Sequence, residues 1–481
     1  MADEMKQPDP QPSALSPQPL ELNFAPVSPD DIETRDAGET QEAAEMAAEN
    51  NFRHERTRGM TQEDADAAMR AIPANNFNGK IGPFYAMTFP NYRLFFYGQL
   101  VSVAGTWMQD VAQKWLVWEL TGSATWLGLV SGANAVPFVV FAVWGGQLAD
   151  RYSRRAILVW TQTLAMLLAF VLMVLASHYS PVPLAAWHIV VISALSGIVN
   201  AFNMPAQQAF VTDMVDERAA LSNAIALNAM RFNIARVLGP VLAGVALVRF
   251  GVVSCFALNG LSFIAVIISL LLMRLPAFVP REKSGSVFDG FRYIWATHNV
   301  LRIILLTGAA SILLWPLSTL YPVFATQFHK GEGGFSAMMA ANGLGAAFAA
   351  LALAWVGSRV PTRLKVYGGS ALFSVSLLLL AAAPFYYAAL ACLILSGFAM
   401  ILFGISAQTK VQEDVPDALR GRVMAVYSLV FNGLFSVGGL EIGGLSERLG
   451  PRAAVSLNAV LAILTTGGLY AWGVAERKRK K

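Results

Sequence analysis

From about Leu94 onward, long apolar runs alternate with short polar breaks. Each run reaches the roughly 20 residues that a helix needs to cross the hydrocarbon core of a bilayer. The runs fall at about 94–119, 124–148, 156–177, 184–206, 222–247, 252–273, 300–326, 335–356, 364–383, 386–408, 422–446 and 453–474. In lipid, backbone groups find no water, so segments of this kind must satisfy their own hydrogen bonds as helices. The expected fold is therefore all-α, a polytopic membrane protein of twelve transmembrane helices. Pro137, Pro205, Pro240, Pro316 and Pro322 lie inside runs and are expected to bend them.

The polar remainder divides the chain. Residues 1–87 are Pro-rich and acidic with few large apolar side chains, which predicts a disordered cytoplasmic tail. Short helical patterns occur at 39–49 and 62–71, and Met60 and Met87 stand as alternative starts. No basic stretch leads into an apolar core, so the tail is not read as a signal peptide. The longest later break, 275–299 with Arg281 and Lys283, reads as a cytoplasmic linker. It separates a six-helix half over 88–274 from a second over 300–481 that ends in a basic tail. Val215-Asp216-Glu217 precedes a run carrying Gly239 and Gly244, and Val415-Pro416-Asp417 precedes one carrying Gly439 and Gly444. That offset of 200 residues marks an internal repeat of the two halves.

Charge sharpens the picture. Residues 1–80 hold 16 acidic and 7 basic side chains, and the remainder 15 and 28. With both termini inside, 21 cations fall on the cytoplasmic side, against four outside (Arg249, Lys330, Arg448 and Arg452). The positive-inside rule therefore fixes the orientation, in a cell or inner membrane. These cations sit in short loops, where they face anionic lipid rather than nucleic acid. At 55% hydrophobic and 14% charged residues, the chain belongs with multi-pass membrane proteins. Cys255 and Cys392 lie in apolar runs, and the five histidines are scattered, so neither a metal site nor a cofactor is expected. No G-x-x-x-x-G-K-[ST] loop is present, so no ATP-binding domain is expected. Clustered His, Asp or Ser-His groups near one interface, which an embedded enzyme would want, are not visible either.

One break carries more than charge. Gly146-x-Leu148-Ala149-Asp150-Arg151-x-x-Arg154-Arg155 joins the second and third runs. A positive-inside loop accounts for its arginines but not for Gly146 and Asp150 at this spacing. The pattern resembles the loop between helices 2 and 3 of major facilitator superfamily transporters. Asn91-Tyr92-Arg93-Leu94-Phe95-Phe96 with Gly98-Gln99-Leu100, Gly105-Thr106-Trp107-Met108-Gln109, Asn203-Met204-Pro205-Ala206-Gln207-Gln208 and Arg420-Gly421-Arg422-Val423 extend the resemblance over about 88–474. Together they look like the efflux branch that includes enterobactin and macrolide exporters. The resemblance implies a secondary transporter that exports a small amphipathic compound, drug or siderophore, in exchange for protons by alternating access. An importer or lysophospholipid flippase of the same fold, or a non-transporting scaffold, is the alternative. It also implies that Asp150 meets the start of the eleventh helix near Gly421-Arg422 and latches the halves when the transporter opens outward. The matching loop at Trp355–Arg363 keeps Gly357 and its cations but has no acid.

Charges inside the spans are few and costly, about 2.5–3.5 kcal/mol each at the bilayer centre on insertion scales, so each points to function. Asp110 and Lys114, four residues apart, share a helical face. They read either as a proton carrier with its counter-ion or as a permanent ion pair. Glu441 reads either as a second proton site or as the neutralising partner of Arg231 or Arg236. Two acids against three cations leave a spare positive charge that could receive an anionic group of the cargo. Gly239, Pro240 and Gly244 resemble the helix 5 signature of antiporters, with a packing kink as the alternative. Trp107, Gln113, Asn228 and Asn342 are cavity candidates, as are Trp115, Trp126, Phe138 and Trp315, although tryptophans also form interfacial belts.

Overall fold

A computed structural model describes residues 82, 84–215, 218–275, 287–356 and 359–480. Most of the expected tail, residues 276–286 of the expected linker, Asp216, Glu217, Gly357 and Ser358 lie outside the described residues. The tail was expected to reach 87, but Tyr85–Thr88 already form a 3-10 turn with Ala86 buried. The Ala86 N–H donates to Asn223 Oδ1 at 2.9 Å, which ties this turn to the helical body.

Helix α1 (Pro90–Thr121) ends on Gly122, whose φ of 59° a side chain would strain. The Ser123 hydroxyl then accepts the Trp126 N–H and caps α2 (Ala124–Arg151). α3 (Arg154–Ala176) and α4 (Ala186–Phe210) follow. α5 (Arg218–Leu272) contains two of the expected runs. Its interior holds one non-helical residue, Gly251, with φ 75° and ψ 175°. Both arms flank α1, because Arg231 lies over Phe95 while Val266 and Ser269 abut Gly98. The chain therefore doubles back at Gly251. The expected kink at Gly239-Pro240 does not interrupt the helical dihedrals.

The expected linker is not wholly irregular. It holds a helix, α6 (Val287–Ala296), whose Gly290 lies against the backbone of Arg422. Next come α7 (His298–Leu313), a 3-10 segment at Trp315–Leu320 and α8 (Tyr321–Gln327), so Pro316 and Pro322 mark a break in this pass. The remaining helices are α9 (Gly331–Val356), α10 (Thr362–Ala382), α11 (Tyr386–Asp414), α12 (Asp417–Leu449) and α13 (Pro451–Lys480). Ten segments among the described residues are long and apolar enough to cross a membrane. Counting both arms of α5, and adding the 32-residue α1 with its in-span charges, recovers the expected twelve passes. Trp160, Leu351 and Leu464 lie exposed on the flanks, as surface that meets lipid must.

Packing falls into two groups. α1 lies on α5, α2 on α4, and α3 on both α4 and α5. In the second group α11 packs on α9 and α10, while α13 packs on α7 and α10. The groups meet mainly along α2–α12 and α5–α9. Small residues allow the first contact: a Cβ on Gly128 would lie 2.4 Å from the Gly439 carbonyl, and one on Gly443 would lie 2.6 Å from that of Ala124. At α5–α9, Gly244 meets Ser336, and Gly343 meets the Arg236 backbone. Glu447 accepts hydrogen bonds from the Ser123 and Thr125 hydroxyls, and Trp118 Nε1 donates to Thr326 at 2.8 Å. All these contacts sit in the half of the molecule away from the Arg151–Arg155 loop.

Candidate functional site

Between the two groups lies a cavity of about 610 Å³. Its lining on α1 runs from Lys114 to Gln99, about 22 Å at helical rise. Gln207, near the basic end of α4, also lines it. The cavity thus extends from the closed contacts toward the end that carries the Arg151–Arg155 loop.

The two walls differ chemically. The first half presents nine side-chain carboxamides and all three charges, Asp110, Lys114 and Arg236. Many of these amides bond to one another. Gln207 donates to Gln99 at 2.9 Å, Asn259 to Gln109 at 2.7 Å, and Gln113 to the Ser193 hydroxyl at 2.6 Å. Such links fix side-chain orientation before any ligand arrives. The second half presents Trp315, Tyr321, Met339, Phe373, Met400 and Phe435, with Asn342 and Asn432 as its carboxamides. Trp315 is held by ring contacts with Phe373, Phe403 and Phe431 at 5.7, 5.5 and 5.1 Å. The first wall is the richer in hydrogen-bonding groups, although Trp107, Phe138, Phe232 and Phe263 also line it, and the second is mainly apolar and aromatic.

The charges separate into distinct environments. Lys114 Nζ and Asp110 are 2.7 Å apart, with Asp110 the more accessible partner. Arg236 faces the cavity and reaches across it, donating to Asn342 Oδ1 at 3.0 Å and lying 5.8 Å from the Trp107 ring. Arg231 is buried elsewhere, over Phe95 at 5.2 Å, with Nε and Nη1 unbonded. Glu441 meets neither arginine. It accepts from Asn458 of α13 at 2.9 Å and does not line the cavity, so the expected pairing on the fifth helix gives way to a clasp between α12 and α13.

Trp107, Gln113 and Asn342 line the cavity with Phe138 and Trp315. Asn228 does not, because its carbonyl accepts the Tyr92 hydroxyl at 3.3 Å. Trp115 is stacked on Phe335 instead, and Trp126 is likewise outside the lining. Apart from Gln113 and Asn342, the lining amides are not among the residues expected from sequence, yet Gln99, Ser102, Thr106, Gln109 and Gln113 recur at helical spacing along α1.

The Gly146–Arg155 motif is divided between tasks. Arg154 is buried and joined to Asp213 at the end of α4, and Arg155 donates to the Leu271 carbonyl at 2.7 Å. Arg151 is exposed. A Cβ on Gly146 would meet open space, whereas one on the neighbouring Gly145 would strike the Ala201 carbonyl. Asp150 makes no bond to Arg422, whose guanidinium is 2.8 Å from Asp289 of α6. Of the helix 5 signature, Gly239 packs on Trp107 and Ala104 of α1, and Gly244 on Ser336 of α9. Pro240 is buried between them.

The family of transmembrane secretion effectors matches residues 80–479 of this chain. Among similar proteins, the staphyloferrin A transporter of Staphylococcus aureus is 24% identical over 387 residues, 79% of this chain and 95% of its own length. The enterobactin exporter EntS of Salmonella typhimurium is 25% identical over 77% of this chain and 89% of its length. Among solved structures, a bacterial homologue of the lysosomal transporter Spinster, captured inward-facing and unoccupied, superposes with a TM-score of 0.65 at 14% identity. It covers 81% of this chain and 96% of that one. A POT family transporter bound to 5-aminolevulinic acid gives a TM-score of 0.65 at 12% identity, over 79% of this chain and 95% of its own. These two likenesses establish the fold alone.

Proposed function

This chain belongs to the transmembrane secretion effector family of the major facilitator superfamily, and we propose that it exports a small anionic, amphipathic compound of the siderophore or drug type in exchange for protons. The observation that carries this reading is the charge of the cavity. Asp110 and Lys114 cancel, while Arg236 has only neutral partners among the described residues. A guanidinium held beside a tryptophan face and a carboxamide is a fitting receptor for a carboxylate or catecholate. The relatives, named for staphyloferrin A and enterobactin, support cargo of this type.

Orientation follows the basic loops, with both termini cytoplasmic, so the cavity opens inward. Cargo enters from the cytoplasm, the halves rock about their contact, and Asp110 exchanges its proton as Lys114 releases it. One proton moving down 100 mV supplies about 2.3 kcal/mol. At 1.4 kcal/mol per decade, this sustains roughly a 40-fold outward gradient of a neutral compound, and a larger one of an anion, whose exit from a negative interior is itself favourable. When the cavity faces outward, Asp150 meets the start of α12 as a latch.

The test is transport in proteoliposomes under an imposed pH gradient, with a tris-catechol and a citrate-based polycarboxylate as cargo. Gradient-driven movement is expected in the wild type. Asp110→Asn is expected to lose pH-driven export while keeping cargo exchange. Coupling that survives in Asp110→Asn overturns its role as proton carrier, and failure to move either anion overturns the cargo class.

A further inference from the structure

A second cavity, about 250 Å³, lies at the basic end of the second half, apart from the central one. The first turns of α7 and α10 and the last turns of α11 and α13 enclose it. Its walls bring four cations, Arg302, Arg363, Lys410 and Arg477, against two carboxylates, Asp414 and Glu476. Both carboxylates are engaged. Lys410 Nζ is 2.6 Å from Asp414, and Arg302 Nη1 is 2.9 Å from Glu476 while its other arm reaches Asn299. His298 adds another bond to Glu476 at 3.0 Å.

Arg363 is held differently. Its guanidinium lies over the rings of Tyr367 and Tyr470, at 5.7 and 5.0 Å, and no carboxylate is paired with it or with Arg477 among the described residues. Stacking on ring faces fixes the plane of a guanidinium and leaves its in-plane N–H fork available. Arg302 also lies on a ring, 5.5 Å from that of Trp472 with 7% of its side chain exposed, but its fork is taken by Glu476 and Asn299. The matching corner of the first half is built otherwise. There Arg154, at the start of α3, is 3% exposed and joined to Asp213 and the Ala209 and Ala149 carbonyls. In the second half the acid at the end of α11 is taken by Lys410 of its own helix, and the arginine charge is left over.

We propose that this pocket binds a phosphate dianion through Arg363 and Arg477, beside the carboxylate-bound Arg302, carried either on a lipid headgroup or on a free phosphomonoester. Its surplus of two positive charges matches the ligand, and planar guanidinium forks suit phosphate oxygens. The pocket sits at the ends of spanning helices, where a headgroup and a soluble ligand both have access.

The test uses the full-length protein stripped of lipid. It is titrated with short-chain phosphatidic acid, with phosphatidylcholine of the same chains, and with inorganic phosphate, reading bound mass and thermal stabilisation. Wild type is expected to prefer phosphatidic acid over phosphatidylcholine by at least tenfold. The double variant Arg363→Gln, Arg477→Gln is expected to lose that preference. Equal stabilisation by inorganic phosphate assigns the site to soluble phosphates, and a response to phosphatidic acid alone assigns it to lipid. Arg477→Glu, at an exposed position, must weaken binding several-fold even if the double variant fails to fold. Equal affinity for both lipids together with no response to phosphate, or affinity unchanged in a folded variant, overturns the proposal.

Discussion

Arg231 and Arg236 are five residues apart on one helix, and their surroundings set them different tasks. Arg236 projects into the cavity toward Asn342, whereas Arg231 is enclosed over Phe95 and beside Tyr92. A hydrogen bond to a charged group contributes about 1.5–3 kcal/mol. Arg236→Gln should therefore weaken binding of an anionic cargo by roughly 10- to 150-fold. Arg231→Gln should leave that affinity within a few-fold, because no cargo atom reaches it. Equilibrium binding of the tris-catechol to both purified variants checks this, and equal losses in the two would sink the assignment of Arg236 as receptor. The sequence exposed both arginines as costly in-span charges, and the five-residue spacing already separated their faces. It could not expose Asn458, 17 residues from Glu441 across a turn, because a buried carboxamide on the last helix has no spacing signature.

Helix crossings are where the two halves are held, and here glycine positions matter more than proline positions. The proline at 240 reads as a kink, yet α5 passes through it with helical dihedrals and turns back at Gly251 instead. Neighbouring helices can re-satisfy the backbone around an in-span proline, so the residue alone does not mark a bend. The α2–α12 crossing depends on Gly128, since any Cβ there meets the Gly439 carbonyl at 2.4 Å. Overpacking a fitted contact costs about 1–3 kcal/mol. Gly128→Val should shift the equilibrium between the two access states by about 5- to 150-fold toward separation of these helices. Distances between spin labels on α2 and α12 report the shift, and an unchanged distribution would show that the crossing yields elsewhere. α6 was hidden in a polar break because ten residues are too few to register as a span, although Phe291, Ile294 and Trp295 follow helical spacing.

Across the whole molecule, contacts between the halves gather at one end while the cavity runs toward the other. The helical membrane fold was legible, because it rests on hydrophobic length and not on which residues touch. The closed end was not legible, since Ser123 and Thr125 at the start of α2 and Glu447 near the end of α12 are more than 300 residues apart. If transport proceeds by rocking, these residues must separate once in every cycle. A disulfide between Thr125→Cys and Glu447→Cys should then hold the cavity open toward the basic loops and stop transport, with a reductant restoring it. The Glu447 bonds are exposed, so removing them alone should cost no more than about 1 kcal/mol and leave transport measurable in the reduced protein. Reduced and oxidised samples of one preparation therefore serve as each other's control. Undiminished export from fully cross-linked protein would mean that cargo crosses without these halves parting at all.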